Sequence, residues 1–153
     1  VYNFNVGETL RLNWSSNGWH LGAKLQGNYT RATSSRENFN VINAVNHSYS
    51  ASARIPLPWE FHFATDLTLY CRDGYNDEQL NTNELVWNAR LERSILNGNL
   101  TFILDGFDIL GNLSNVRHSI NAQGITETYY NVVPAYGMLH IVYKLNIEPK
   151  KRK

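Results

Sequence analysis

The chain has 153 residues, 42% hydrophobic and 18% charged, with a formal net charge of +1. That length fits one domain, the apolar content excludes a disordered polypeptide, and so small a net charge excludes an electrostatic field that would recruit nucleic acid. The lone cysteine, Cys71, excludes an intrachain disulfide and a cysteine-based zinc site. No apolar run approaches the roughly 18 residues of a transmembrane helix, but closed sheets also cross bilayers.

Alternation of period two recurs in seven segments and predicts an all-β chain. In the first, Tyr2, Phe4, Val6, Leu10, Leu12 and Trp14 alternate with Asn3, Asn5, Gly7, Thr9, Arg11 and Asn13. The second sets Trp19, Leu21, Ala23, Leu25 and Tyr29 against His20, Lys24, Gln26, Asn28 and Thr30. A third runs from Val41 to Leu57, with Tyr49, Ala51, Ala53, Ile55 and Leu57 opposed by Ser48, Ser50, Ser52 and Arg54. The fourth, "WEFHFATDLTLYCR", puts Trp59, Phe61, Phe63, Leu67, Leu69 and Cys71 on one face and Glu60, His62, Asp66, Thr68 and Arg72 on the other. In the fifth, Leu85, Trp87, Ala89 and Leu91 oppose Glu84, Asn88, Arg90 and Glu92. The sixth spans Leu100 to Leu110 and the last Met138 to Asn146, where Leu139, Ile141, Tyr143 and Leu145 oppose His140, Val142 and Lys144.

The connections alternate between short and long. "SSNG" (15–18), "PLPW" (56–59) and "LNGN" (96–99) are tight turns. "RATSSRENFN" (31–40), "RDGYNDEQLNTN" (72–83) and the stretch from Gly111 to Gly137 are long and polar. All tight turns therefore fall on one rim and all long loops on the other, the organisation of a transmembrane β-barrel with short periplasmic turns, longer extracellular loops and an apolar outer band. Residues 116–133 fit a hairpin inside the last long loop, placed above the membrane.

On this reading Trp14, Trp19, Trp59, Phe61, Phe63, Trp87 and Tyr143 are lipid-facing or girdle residues, since indole and phenol rings favour the hydrocarbon–water interface. Lys24, Arg54, Asp66, Arg90, Glu92, Asp105 and Lys144 line a hydrated lumen. Small residues on the apolar face, such as Ala23, Ala51, Ala53 and Ala89, suit lipid better than a packed core, where they leave voids. The same alternation also fits a soluble β-sandwich or barrel that buries its apolar face and binds a carbohydrate or lipid. Bacterial single-chain barrels have even strand numbers, so seven strands point to the C-terminal portion of a larger barrel over residues 1–146. Residues 147–153 form a basic C-terminal tail, read as solvated. The start at "VYNFNVGETL", inside an alternating pattern, reads as a mature fragment or trimmed chain.

"LNGNLTFILDGFDILGN" (96–112) and "YGMLHIVYKLN" (136–146) resemble the closing strands of the TonB-dependent-receptor-like outer-membrane β-barrel family of Gram-negative bacteria. "FDILGN" occupies the place where the family's penultimate strand carries an aromatic or aliphatic residue, Asn or Asp, two apolar residues and Asn. Tyr143-Lys144-Leu145-Asn146 occupies the place of its terminal aromatic-basic-apolar pattern. The chain departs from the family by continuing through Ile147-Glu148-Pro149 rather than ending on an aromatic. The resemblance implies an outer-membrane transporter or receptor in the bacterial outer membrane. Its partners are the lipid bilayer, the remainder of the barrel with its plug domain, a TonB-type energy-coupling protein reached through the upstream part, and a small-molecule or glycan ligand. A structural or adhesive outer-membrane barrel shares every residue-level feature, and a plug upstream separates the two.

No catalytic constellation emerges. His62 and Asp66 share a face but stand about 13 Å apart along an extended strand. His20, His47, His118 and His140 lie on separate segments without metal-ligand spacing. Asp105 and Asp108 point to opposite faces, which disfavours shared acid–base work. A non-enzymatic protein without metal or cofactor is expected, with Glu127, Tyr129 and Tyr130 of "ETYYN" as candidate ligand contacts in the last loop. The Asn-X-Ser/Thr matches are those an Asn-rich chain produces by chance.

Overall fold

The computed structural model describes residues 2–35, 41–114, 116–121, 124–131 and 133–145. Seven strands form one antiparallel sheet: β1 (Tyr2–Ser16), β2 (Trp19–Thr33), β3 (Ile42–Leu57), β4 (Phe61–Asp73), β5 (Asn83–Ile95), β6 (Leu100–Phe107) and β9 (Tyr136–Tyr143). Their order is β1-β2-β3-β4-β5-β6-β9, and the sheet is open, with β1 and β9 at its edges. The hairpin expected in the last loop forms a separate two-stranded sheet from β7 (Val116–Asn121) and β8 (Gly124–Tyr129). The tail 147–153 lies outside the described residues, as do residues 36–40 of the β2–β3 loop.

Local chemistry fixes the tight turns. Asn17 (φ 48°) and Gly18 (φ 82°) make a two-residue turn with both residues left-handed, the arrangement whose twist matches a hairpin. The β5–β6 turn carries three successive positive φ values at Leu96, Asn97 and Gly98. Trp59, the last residue of the expected 56–59 turn and the first of the fourth alternating segment, lies with Glu60 in the β3–β4 turn, both at φ 61°, and is 79% exposed. β6 stops at Phe107, short of Leu110, because Asp108 turns the chain at φ 44°.

The ladders run without a bulge, so each strand keeps its two faces across the whole sheet. One face carries Leu10, Leu12, Trp14, Leu104, Leu139, Ile141 and Tyr143, all more than half exposed. The other carries Ala32, Ile42, Ala44, Val86, Thr101 and Asp105, all buried. A cavity of about 560 Å³ on that second face touches β1 through β6, from Asn13 to Asp105. One cavity bordered by six strands, together with the burial of the polar face and the exposure of the apolar one, fits a sheet curled with its polar face concave and its apolar face convex.

The turns step steadily across the sheet. One ladder row joins Ser15, His20, Arg54, Ala64, Arg90, Asp105 and Met138. Counted in residues, Ser15 and His20 lie about 2.5 from the centre of the first turn, Arg54 and Ala64 about 5 from the second, and Arg90 and Asp105 about 7.5 from the third. At about 3.3 Å per residue and about 4.8 Å between strands, the line of turns crosses the strands with the strands inclined about 40° from its perpendicular.

The long-loop end has a small core of its own. Ala32, Ile42 and Ala44 form a buried cluster against which Tyr75 packs. The β4–β5 loop folds down onto the polar face to make this contact. Gly74 allows it: φ is 82°, and a Cβ there would collide with the Asn43 carbonyl oxygen. The loop is then braced by a single 3₁₀ turn (Glu78–Leu80), capped by the Asp77 carboxylate accepting from Gln79 N, with Leu80 buried beneath. Asn81 closes it, accepting from Tyr75 N and donating to Tyr75 O, both at 3.0 Å.

Candidate functional site

The residues expected to line a lumen share the concave face. Lys24 lies opposite Arg11 and Ser50, Arg54 lines the central cavity, and Glu92 lies opposite His62 and Ile103. Lys144 lies just past β9, where its backbone N–H donates to Asn99 O at 2.7 Å and continues the ladder. Asp66 accepts from Asn88 Nδ2 at 2.8 Å, and Asn88 Oδ1 accepts from the Asp108 backbone N–H at 2.9 Å.

The most tightly built feature of this face centres on Asp105, whose side chain is 4% exposed. Arg90 grips it with both arms, Nε donating to Oδ1 at 2.6 Å and Nη2 to Oδ2 at 3.0 Å. His140 Nε2 stands 3.1 Å from Oδ2 on the other side. Because Arg90 is on β5, Asp105 on β6 and His140 on β9, one carboxylate ties three strands. Such forked, charge-assisted bonds fix geometry as well as adding energy. Both oxygens are engaged, so Asp105 is a brace and not an available base.

Asp108, weighed above as a partner for Asp105, has a separate task. Its Oδ1 accepts from Asn112 N at 3.1 Å and its Oδ2 from Leu113 N at 3.0 Å, while its own carbonyl accepts from Gly111 N at 2.7 Å. Ile109 N donates to Trp87 O at 2.8 Å. The stretch "FDILGN" is therefore a carboxylate-capped turn, with Gly111 at φ 66° completing it.

On the convex face Trp14, Trp19, Phe61 and Tyr143 lie toward the turn rim, Phe63 somewhat further up, and Trp87 toward the long-loop rim. Several polar groups on this face are paired locally, although Glu8 shares the face and His47 Nδ1 is buried there without a hydrogen bond among the described residues. Thr65 donates to Asn88 O at 2.9 Å and accepts from Trp87 Nε1 at 2.8 Å. Arg93 lies 4.9 Å from the Phe61 ring centre. His47 Nε2 meets Asp73 Oδ2 at 3.0 Å near the long-loop end.

At the long-loop end of the concave face a second cavity, about 530 Å³, is bordered by Asn28, Tyr70, Arg72, Tyr75, Glu84 and Tyr130 among others. Of the three loop residues singled out from sequence, Tyr130 borders it. Tyr129 ends β8 and is 71% exposed, and the Glu127 side chain lies outside the described ones. Tyr70, Arg72 and Tyr75 were missed as site residues. Their signal was the large aromatic Tyr70 interrupting a polar face, together with the Asp73-Gly74 turn that brings Tyr75 back over it. Among the described residues no group of three or more His, Cys, Asp or Glu side chains is placed to hold a metal ion. Comparison with protein-family models, with curated proteins and with solved structures finds no match for this chain.

Proposed function

We propose that residues 1–146 form consecutive wall strands of an outer-membrane β-barrel of the transporter or receptor type, a non-enzymatic protein working in TonB-dependent-style uptake. The observation that carries this reading is the curl of the sheet: its polar face is concave around a cavity, while large apolar side chains stand exposed on the convex side. A soluble sheet places those side chains inward, because exposing them to water costs about 25 cal/mol per Å². Hydrocarbon removes that cost.

Two further features support it. The inclination of about 40° falls within the roughly 35–45° at which strands of such barrels tilt. The convex face carries aromatic residues near both rims with Leu, Ile, Ala and Phe between them. An open sheet in lipid leaves backbone groups at β1 and β9 unpaired, at several kcal/mol each. Further strands therefore complete the wall, and a plug and the energy-coupling contact belong to the upstream part. The lipid bilayer, these remaining parts and a captured small molecule or glycan are the partners.

The test is fractionation of the full-length product from a Gram-negative host. Recovery in the outer membrane, heat-modifiable migration in detergent, and external protease cutting within 34–41 or 108–135 are expected. A monodisperse, cooperatively folding monomer obtained without detergent overturns the proposal.

A further inference from the structure

We propose that the cavity beneath the β4–β5 loop is a binding site for a neutral, polyhydroxylated ligand, an oligosaccharide; the barrel reading enters only in saying that the site opens at the outer mouth of the lumen. Two adjacent ladder rows form its floor. Gln26, Ser48, Tyr70 and Glu84 lie in one, and Asn28, Asn46 and Arg72 in the next. Neighbouring strands stand about 4.8 Å apart and alternate residues about 6.6 Å, so each ring or polar tip is offset from the next by the dimensions of one hexose.

The walls are aromatic. Tyr70 is 45% and Tyr130 47% exposed, so each offers an open ring edge or face. Tyr75 is held rigid by packing on the Ala32 cluster and by donating its hydroxyl to Asn46 Oδ1 at 3.0 Å. Rings anchored this way cover the C–H faces of a sugar at little cost in side-chain freedom.

The polar lining selects the ligand class. The Gln26 and Asn28 amides donate and accept, Arg72 only donates, and ionised Glu84 only accepts. Among the described residues, the Gln26, Asn28 and Arg72 side chains and the Tyr70 hydroxyl make no hydrogen bond of their own. A sugar hydroxyl also both donates and accepts, so such a mixture matches an array of hydroxyls. One Arg balanced by one Glu leaves no excess charge for a polyanion, which calls for several guanidinium or ammonium groups, nor for a cation. A lipid tail needs an apolar wall, and Leu113 is the only aliphatic side chain bordering this cavity among the described residues.

The experiment is calorimetric titration of the full-length protein in detergent with maltopentaose, cellopentaose, xylopentaose, mannopentaose and chitopentaose. At least one is expected to bind, with Tyr70→Ala and Arg72→Ala each weakening it about tenfold or more, Tyr70→Phe keeping most of the affinity, and Leu139→Ala on the convex face changing nothing. Heat-modifiable migration establishes that each variant is folded. No binding by any of the five to folded protein overturns the inference. So does binding that Tyr70→Ala and Arg72→Ala leave intact, or preference for a ferric catecholate or a tetrapeptide over all five sugars. Sugar binding by a protein that proves soluble without detergent sustains the site and overturns the barrel reading instead, so the two failures are distinguishable.

Discussion

Ile55 and Leu104 give the sharpest test of the inclined wall, because both lie in one ladder row, Ile55–Phe63–Leu91–Leu104–Leu139, on the convex face. In a sheet standing upright, or in a soluble core, residues of one row share one depth. With the strands inclined about 40°, Ile55 lies about 8 Å and Leu104 about 18 Å from the line of turns. The apolar band of such barrels is about 25 Å tall. On the proposed barrel reading, a band whose lower edge is set by Trp14, Trp19 and Phe61 has its midplane near Leu104 and its border near Ile55. An arginine at the midplane costs about 2–4 kcal/mol and near the interface about 0–1 kcal/mol. Leu104→Arg is therefore expected to destabilise by about 2 kcal/mol more than Ile55→Arg, roughly a thirtyfold difference in the unfolding equilibrium. Neither position has an acidic neighbour on its own face to pair with the new charge. The assay is reversible urea unfolding of the full-length protein inserted in lipid vesicles, followed by tryptophan fluorescence. Equal costs at the two sites, or a larger cost at Ile55, refute the inclination argument.

Three further outcomes test the braces. In a double-mutant cycle, Arg90→Ala and Asp105→Ala are expected to couple by about 1.5–3 kcal/mol, the range for hydrogen bonds to charged groups, and below a fully buried pair because the Arg90 side chain is 48% exposed; Asp66→Ala, with one bond to Asn88, is the control. Asp108→Ala removes the acceptor for two backbone amides and is expected to cost about 1–2 kcal/mol, with hydrogen exchange accelerating at Asn112 and Leu113 and not at Leu91. Gly74→Ala meets both a positive φ and the Asn43 carbonyl, so it is expected to cost more than about 1 kcal/mol, whereas Gly27→Ala, with open space around its Cβ, stays within about 0.5 kcal/mol. Equilibrium unfolding reads both glycine variants.

The strands, their faces and the hairpin inside the last loop were legible because alternation and turn chemistry are local. Asn17-Gly18 fixes a hairpin wherever it stands, and Tyr2 to Trp14 can alternate in only two phases. The polar-face assignment of Arg90 and Asp105 followed from the same parity, but their pairing did not, since it needs the β5–β6 register. Trp59 was legible both as the end of the 56–59 turn and as the start of the fourth alternating segment, because a turn there leaves parity intact on both sides, and it lies in the turn. The mouth cavity was hidden for a different reason. It exists only once Gly74 folds the β4–β5 loop back over Tyr70 and Arg72, and polar loop composition carries no sign of direction.

Inclination was the property furthest from view. A register slip of two residues keeps every side chain on its original face, so alternation is blind to it. Yet a two-residue slip at each long-loop pairing changes the inclination from about 40° to about 10° or about 57°. What selects among these is the chemistry at the long-loop end, where register is held by particular contacts. Tyr29 donates to Asn43 Oδ1 across β2 and β3, Tyr75 to Asn46 Oδ1, Asn76 Nδ2 to Val41 O, and Arg72 N to Thr82 O across β4 and β5. The loops that border the second cavity thus also set the inclination of the strands, and substitutions that loosen Tyr75 or Asn46 act on both.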